Sequence, residues 1–209
     1  MINRGEEQRA HLIMKLRGQG IRSSSVLSAI ESIPRDIFIE NALKNHAWEN
    51  VTLPIGEGQT ISQPYIVALM TTALNLSGKE IVLEIGTGSG YQASILSLLC
   101  RRVYTIERIK KLHNFSNNKF KELKLNNITT KYGNGSLGWP EVSPFDRIIL
   151  TCATKKIPKQ LFLQLKIGGL LIGPEILEDN SQVLSSYFQV DKNKFEKKKI
   201  EDVKFVPML

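Results

Sequence analysis

The segment that most constrains this chain runs Ile81-Val82-Leu83-Glu84-Ile85-Gly86-Thr87-Gly88-Ser89-Gly90. A near-continuous apolar strand gives way to a turn with glycine at every second position. A helix-like stretch, YQASILSLL, then begins at Tyr91. A buried strand that turns sharply into a helix is the opening of a β-α-β unit. The pattern recurs downstream. RRVYTIE (101–107) predicts a second strand and 109–125 a second helix. ITTKYG (128–133) and FDRIILT (145–151) predict further strands, PKQLFLQL (158–165) a helix and LLIG (170–173) another strand. Strands alternating with helices imply right-handed crossovers and a mostly parallel sheet. VLSSYFQV (183–190) and about 199–206 read as two last strands with a charged turn between them, an antiparallel finish.

The first third reads differently. Residues 6–17 predict an amphipathic helix with Leu12, Ile13 and Leu16 on one face, ended by Gly18 and Gly20. Ser24 or Ser25 caps a second helix carrying Val26, Leu27, Ile30 and Ile33, which stops at Pro34. Residues 35–65 are irregular and contain LPIGEGQTISQPY, and helix resumes over 66–76. The 209 residues suit one domain. Within it, 1–78 form a cap and loop region, and 79–209 an α/β core.

Composition narrows the class. Apolar content of 42% and charged content of 23% are those of a globular chain. Cys100 and Cys152 are far apart and form no CxxC, so neither a disulfide framework nor a zinc knuckle is indicated. His11, His46 and His113 lack ligand spacing, and no metal site is read. Trp48 and Trp139 read as packing residues, and Cys152 as a small buried one. The start, MINRGEEQRAH, has acidic residues and no apolar core of a signal peptide. No apolar run approaches the ~18 residues that span a bilayer. A cytoplasmic location follows as the expectation. The net charge of +8 is spread over lysines, with a cluster at Lys192, Lys194, Lys197, Lys198 and Lys199 that also contains acids. No recognition motif accompanies it, so no nucleic-acid or membrane partner is expected.

The glycines let the backbone approach a ligand without Cβ clashes. Glu107 lies at the tip of the next strand, about twenty residues on, where a carboxylate can accept from both hydroxyls of a ribose. A dinucleotide fingerprint would read G-x-G-x-x-G; here the spacing is G-x-G-x-G, and Glu84 precedes it. A carboxylate there opposes a pyrophosphate and suits a ligand with an amino group and a sulfonium. S-Adenosylmethionine is the preferred ligand, with NAD as the alternative.

Further segments make the chain recognisable. LRGQGI…VLSAIESIPRDIFI (16–39), LPIGEGQTISQPYIVALM (53–70), VLEIGTGSGYQASIL (82–96), VYTIER (103–108), LGWP (137–140), PFDRIILT (144–151), LKIGG (165–169) and VKFVP (203–207) together resemble the protein-L-isoaspartate O-methyltransferase family. GQTISQPY is the most specific of these. The resemblance implies a class I S-adenosylmethionine-dependent methyltransferase sandwich: α/β, Rossmann-like, with a mostly parallel seven-stranded sheet and an N-terminal helical cap. It implies methyl transfer to the free α-carboxylate of L-isoaspartyl residues in damaged proteins, a repair reaction, by a monomer.

Residue by residue, Ser62 matches the family's active-site serine. Thr60, Ile61, Gln63 and Pro64 complete a loop between cofactor and substrate, with Gln63 on the cofactor side. Gly86, Thr87, Gly88 and Gly90 match the cofactor turn and Glu107 the ribose ligand. Asn134-Gly135 matches a pair, usually Asp-Gly, that contacts adenine. Thr151 falls beside the reacting centre. Gln182 aligns loosely with a glutamine at the substrate end. Departures are Asn134, Ser136 where an aromatic is common, and Gly173-Pro174-Glu175-Ile176, which puts a local loop in doubt. A carboxylate of pKa about 4 is ionised at neutral pH, so the reaction needs no general base. Ser62 would orient the carboxylate; the packing alternative is a serine that caps the helix starting near Tyr65. Three other readings stay open: a methyltransferase for another carboxylate or small molecule, a non-catalytic cofactor-binding module, and an NAD dehydrogenase.

Overall fold

The computed structural model describes residues 4–209. Helix α1 spans Arg4–Gly18 and α2 spans Ser24–Ser32. The α2 cap is Ser23, whose hydroxyl accepts from the Val26 N–H, one residue before Ser24 and two before Ser25, the serines predicted. Two 3₁₀ turns, Arg35–Phe38 and Asn41–His46, occupy part of the irregular stretch. A minimal hairpin follows, β1 (Leu53–Pro54) against β2 (Thr60–Ile61). Helix α3 (Pro64–Ala73) starts two residues before the predicted one, because a proline at the first helical position needs no N–H partner.

The α/β core then runs β3 (Ile81–Ile85), α4 (Tyr91–Ser97), β4 (Arg102–Glu107), α5 (Lys110–Glu122), β5 (Ile128–Tyr132), β6 (Phe145–Leu150), α6 (Lys159–Leu163), β7 (Leu165–Ile176), β8 (Gln182–Asp191) and β9 (Lys194–Asp202). One seven-stranded sheet has the order β5-β4-β3-β6-β7-β8-β9. The pairs from β5 to β7 are parallel, and those of β8 with β7 and β9 are antiparallel.

Strand periodicity builds the two layers. Val82 of β3 and Ile149 of β6 face one side, with Met70, Leu74, Ala93, Leu96 and Phe120 from α3, α4 and α5. Leu83, Ile85, Ile148 and Leu150 face the other side, with Leu161 of α6. The cap packs α1, α2 and the start of α3 onto Tyr91 and Ile95 of α4. A buried leucine or isoleucine at such positions is worth about 1.5–3 kcal/mol.

Two readings of the carboxyl-terminal third are corrected. Strand β7 extends through Gly173-Pro174-Glu175-Ile176, which pairs with Ser185-Leu184-Val183-Gln182 rather than looping. Of the lysine cluster, Lys192 alone lies in the turn. Asn193, with φ of 60°, closes a tight turn, and Lys194, Lys197, Lys198 and Lys199 lie exposed on β9, the sheet's outer strand. Phe195 and Ile200 differ in strand parity and pack on opposite faces, Phe195 with Phe162 and Tyr187 and Ile200 with Leu184, so both sit half-buried.

Candidate active site

Chain order in the sheet reverses between β3 and β6, and a crevice opens beyond the carboxyl ends of strands at such a point. Here it encloses about 800 Å³, part of it open to solvent. The glycine turn forms its floor. Gly86 and Thr87 donate to the Ile106 carbonyl of β4 at 2.9 and 3.3 Å, and Gly90 donates to Thr87 O at 2.8 Å. Gly86, with φ of 94°, leaves no room for a side chain: a Cβ would lie 2.5 Å from Thr151 Oγ1. Gly88 adopts φ of 54°, and a Cβ there would reach toward Ile55 of the hairpin across the cleft. The turn is thus stripped of side chains where hairpin and floor face each other.

Glu107 is buried at the tip of β4 and lines the cleft. Its Oε2 accepts from Gly88 N at 2.7 Å, and its Oε1 from Ile109 N at 2.8 Å. Each oxygen keeps a lone pair for a ligand. Glu84 behaves differently from the sequence expectation. It lies fully buried behind the turn, outside the cleft lining, with Oε2 accepting from Thr105 Oγ1 at 2.5 Å. Burial pushes its carboxyl up to about 8, against the hydrogen bond from Thr105 and with help from the charge on Glu107. It is mostly neutral at pH 7, so the argument that it repels a pyrophosphate does not hold.

The hairpin roofs the cleft. Gly56, Glu57 and Gly58 take positive φ at its tip, and Ile55 and Gln59 close it with a backbone bond of 3.0 Å. Gln59, Thr60, Ile61 and Ser62 line the cleft opposite Gly86–Ser89. The Ser62 hydroxyl makes no hydrogen bond among the described residues. It does not cap α3: the Tyr65 N–H is taken by Asn50 Oδ1 at 2.9 Å. The capping alternative for Ser62 therefore belongs to Asn50.

The other expected positions divide. Thr151 lines the cleft, yet its hydroxyl points back to the carbonyls of Ile85 and Gly86, at 3.0 and 2.5 Å, and braces the turn. Gly135 lines the cleft, and a side chain there would collide with Ile85. Three positions do not reach it. Gln63 turns its amide to the Asn50 carbonyl at 2.9 Å. Gly90 lies behind the turn, where a Cβ would meet the Phe120 ring at 2.8 Å. Asn134 is exposed and its side chain accepts from Ser136 N at 3.0 Å, starting a 3₁₀ turn.

Sequence reading missed several walls. Tyr91 and Gln92, at the start of α4, line the cleft, and Gln92 is tied to Thr71 of α3. So do Val206, Pro207, Met208 and Leu209. That segment runs beside Ala153, which donates to Val206 O at 2.9 Å and accepts from Met208 N at 2.8 Å. Gln182 clasps the backbone of Phe205 from both sides, at 2.6 and 3.1 Å, and so holds the segment from a distance. No local periodicity marks these contacts; only the Gln182 alignment hinted at them. Cys152 also lines the cleft, and burial, then Glu107 and Glu84, push its thiol up to about 12. Among the described residues no group of three or more His, Cys, Asp or Glu could hold a metal ion.

The chain matches the family model described as protein-L-isoaspartate(D-aspartate) O-methyltransferase over residues 7–209. It is similar to the protein-L-isoaspartate O-methyltransferase of Parvibaculum lavamentivorans, 53% identical over 83% of this chain and 78% of that one. Among solved structures, one named protein-L-isoaspartate O-methyltransferase superposes with a TM-score of 0.88 at 27% identity, over 95% of this chain and 65% of that one. A second, from Plasmodium falciparum and assigned to the same enzymes, has S-adenosyl-L-homocysteine bound; its TM-score is 0.83 at 25% identity, over 100% and 99% of the two chains.

Proposed function

This chain belongs to the protein-L-isoaspartate(D-aspartate) O-methyltransferase family, and from that premise we infer how its cleft performs the reaction. The protein methylates isoaspartyl residues of proteins with S-adenosylmethionine as cofactor, a step of protein repair. The observation that carries the site assignment is the unpartnered Ser62 hydroxyl in the roof of a cleft whose floor is the glycine turn that Glu107 flanks.

The residues present fit the cofactor. Gly86 and Gly88 leave space where side chains would block it. Glu107 offers its remaining lone pairs to ribose hydroxyls, and Gly135 offers a flat wall for the base. When bound, S-adenosylmethionine supplies a methyl group activated by a sulfonium. Everything else falls to the chain. Ser62 donates its hydroxyl to the incoming carboxylate, which is already ionised at neutral pH. Thr60 and Ile61 set the height of the roof. Thr151 keeps the floor in place through the Ile85 and Gly86 carbonyls. Tyr91 and Val67 exclude water, and alignment in a dry cleft is the main source of rate. The Cys152 thiol stays protonated and does not compete for the methyl group.

An isoaspartyl residue carries its free carboxylate on the α-carbon, so recognition rests on an extended backbone. The segment 206–209, beside the roof, is positioned to meet it. Monomeric state, absence of a nucleic-acid partner, a single functional domain and a cytoplasmic location complete the proposal. No helix among the described residues is long and apolar enough to cross a membrane. The test is a methylation assay on one peptide in isoaspartyl and aspartyl forms. The expected outcome is transfer to the first alone; equal transfer to both, or to neither, refutes the assignment.

A further inference from the structure

Arg35 follows Pro34 and precedes the apolar Ile37, Phe38 and Ile39. Its side chain is fully buried. Removing a guanidinium from water costs several kcal/mol, so its protons must find other acceptors. Three backbone carbonyls serve the two terminal nitrogens, while the buried Nε–H has no partner among the described residues. Nη1 donates to Ala47 O at 2.7 Å, and Nη2 donates to Val51 O at 2.9 Å and to Ser62 O at 3.1 Å. The guanidinium carbon lies 5.8 Å from the ring centroid of Tyr91, a wall of the cleft.

The three acceptors bracket the roof. Ala47 and Val51 precede β1, and Ser62 follows β2. Between them the chain has only a pair of two-residue strands, too short to hold a position unaided. One planar fork fixes both ends of the hairpin. Because the bond to Ser62 uses its carbonyl, the hydroxyl is left free for the cleft.

We propose that Arg35 is a positioning residue for the isoaspartyl carboxylate: its fork sets where the Ser62 hydroxyl stands, and it has no part in holding the cofactor. This rests on the reading of Ser62 given above. A lysine keeps the charge but presents a single ammonium, which cannot span three carbonyls.

The test is a double-mutant cycle of Arg35→Lys and Ser62→Ala, with isoaspartyl and aspartyl peptides as substrates and S-adenosylhomocysteine affinity measured by calorimetry. Arg35→Lys is expected to raise KM for the isoaspartyl peptide about tenfold through misplacement of the hydroxyl. Cofactor-product affinity is expected to change less than about twofold, and in the Ser62→Ala background the further loss from Arg35→Lys is expected to shrink below about twofold. Losses that simply multiply, an unchanged peptide KM, or equal weakening of both ligands overturn the proposal. A purely structural arginine would lower the melting temperature and affect both ligands alike. Should the lysine variant not fold, Arg35→Gln, whose amide still donates two hydrogens, takes its place with the same expected coupling. A wild-type enzyme that does not distinguish the two peptides defeats the Ser62 reading itself. A wild type that does, with variants acting independently, defeats Arg35 alone.

Discussion

Glu107 and Ser62 face one cleft, yet they are held in contrasting ways. Glu107 ends a strand and takes its two bonds from Gly88 and Ile109, parts of the turns that adjoin β3 and β4. Ser62 sits in irregular chain, pinned by Arg35 from 27 residues earlier, while Asn50 caps the helix that follows it. The cofactor side is thus built by regular elements and their ends. The substrate side is built by single side chains reaching across the cap. A local change on the first should damage binding of the nucleoside, and a change on the second should spare it.

The largest effect is expected at the floor. Gly86→Val combines a positive φ with a Cβ that meets Thr151 Oγ1. It should cost about 2–4 kcal/mol of stability and about 100-fold in S-adenosylhomocysteine affinity. Calorimetry and thermal melting check this; near-normal affinity would mean that the floor yields as readily as the roof and would erase the contrast. The next effect is on the roof. Ser62→Ala should lower kcat/KM for the isoaspartyl peptide about 10–100-fold while cofactor affinity stays within about twofold. Parallel loss of both would show that the two sides are one unit.

What was legible in the sequence follows the same division. The strand, glycine turn and helix at 81–97 announced themselves through period and glycine spacing, and Glu107 followed from its place on the next strand. Ser62 was legible only through the resemblance carried by GQTISQPY. Arg35 and Asn50 carry no mark of their supporting role in the sequence, because their partners are backbone atoms 12 or more residues away, and Gln182 is marked only through the resemblance. The resemblance assigns Gln63, Gly90 and Asn134 to the cofactor. In the fold they satisfy Asn50, make room for Phe120 and cap a turn. Glu84 misled for a related reason: its neighbour in sequence is the turn, but its neighbour in space is Thr105.

The smallest effect on catalysis is expected at that residue, whose contribution is to stability. Its carboxyl is raised to about 8 in the folded protein from an ordinary 4.5. Between those values the unfolded chain loses a proton that the folded chain retains, so stability falls as pH rises across this window. Glu84→Gln should flatten the decline between pH 5 and pH 8, by up to about 3 kcal/mol relative to the wild type. Urea melts at both values test it, and an identical slope in the variant would locate the pH dependence elsewhere.

The outer strand β9 has its own consequence. Its row of exposed lysines stands where a sheet could otherwise accept one more strand. A segment adding to that border would have to desolvate several ammonium groups at once. That border of the sheet therefore disfavours pairing with a further strand, whether from a substrate or from a second copy of the chain.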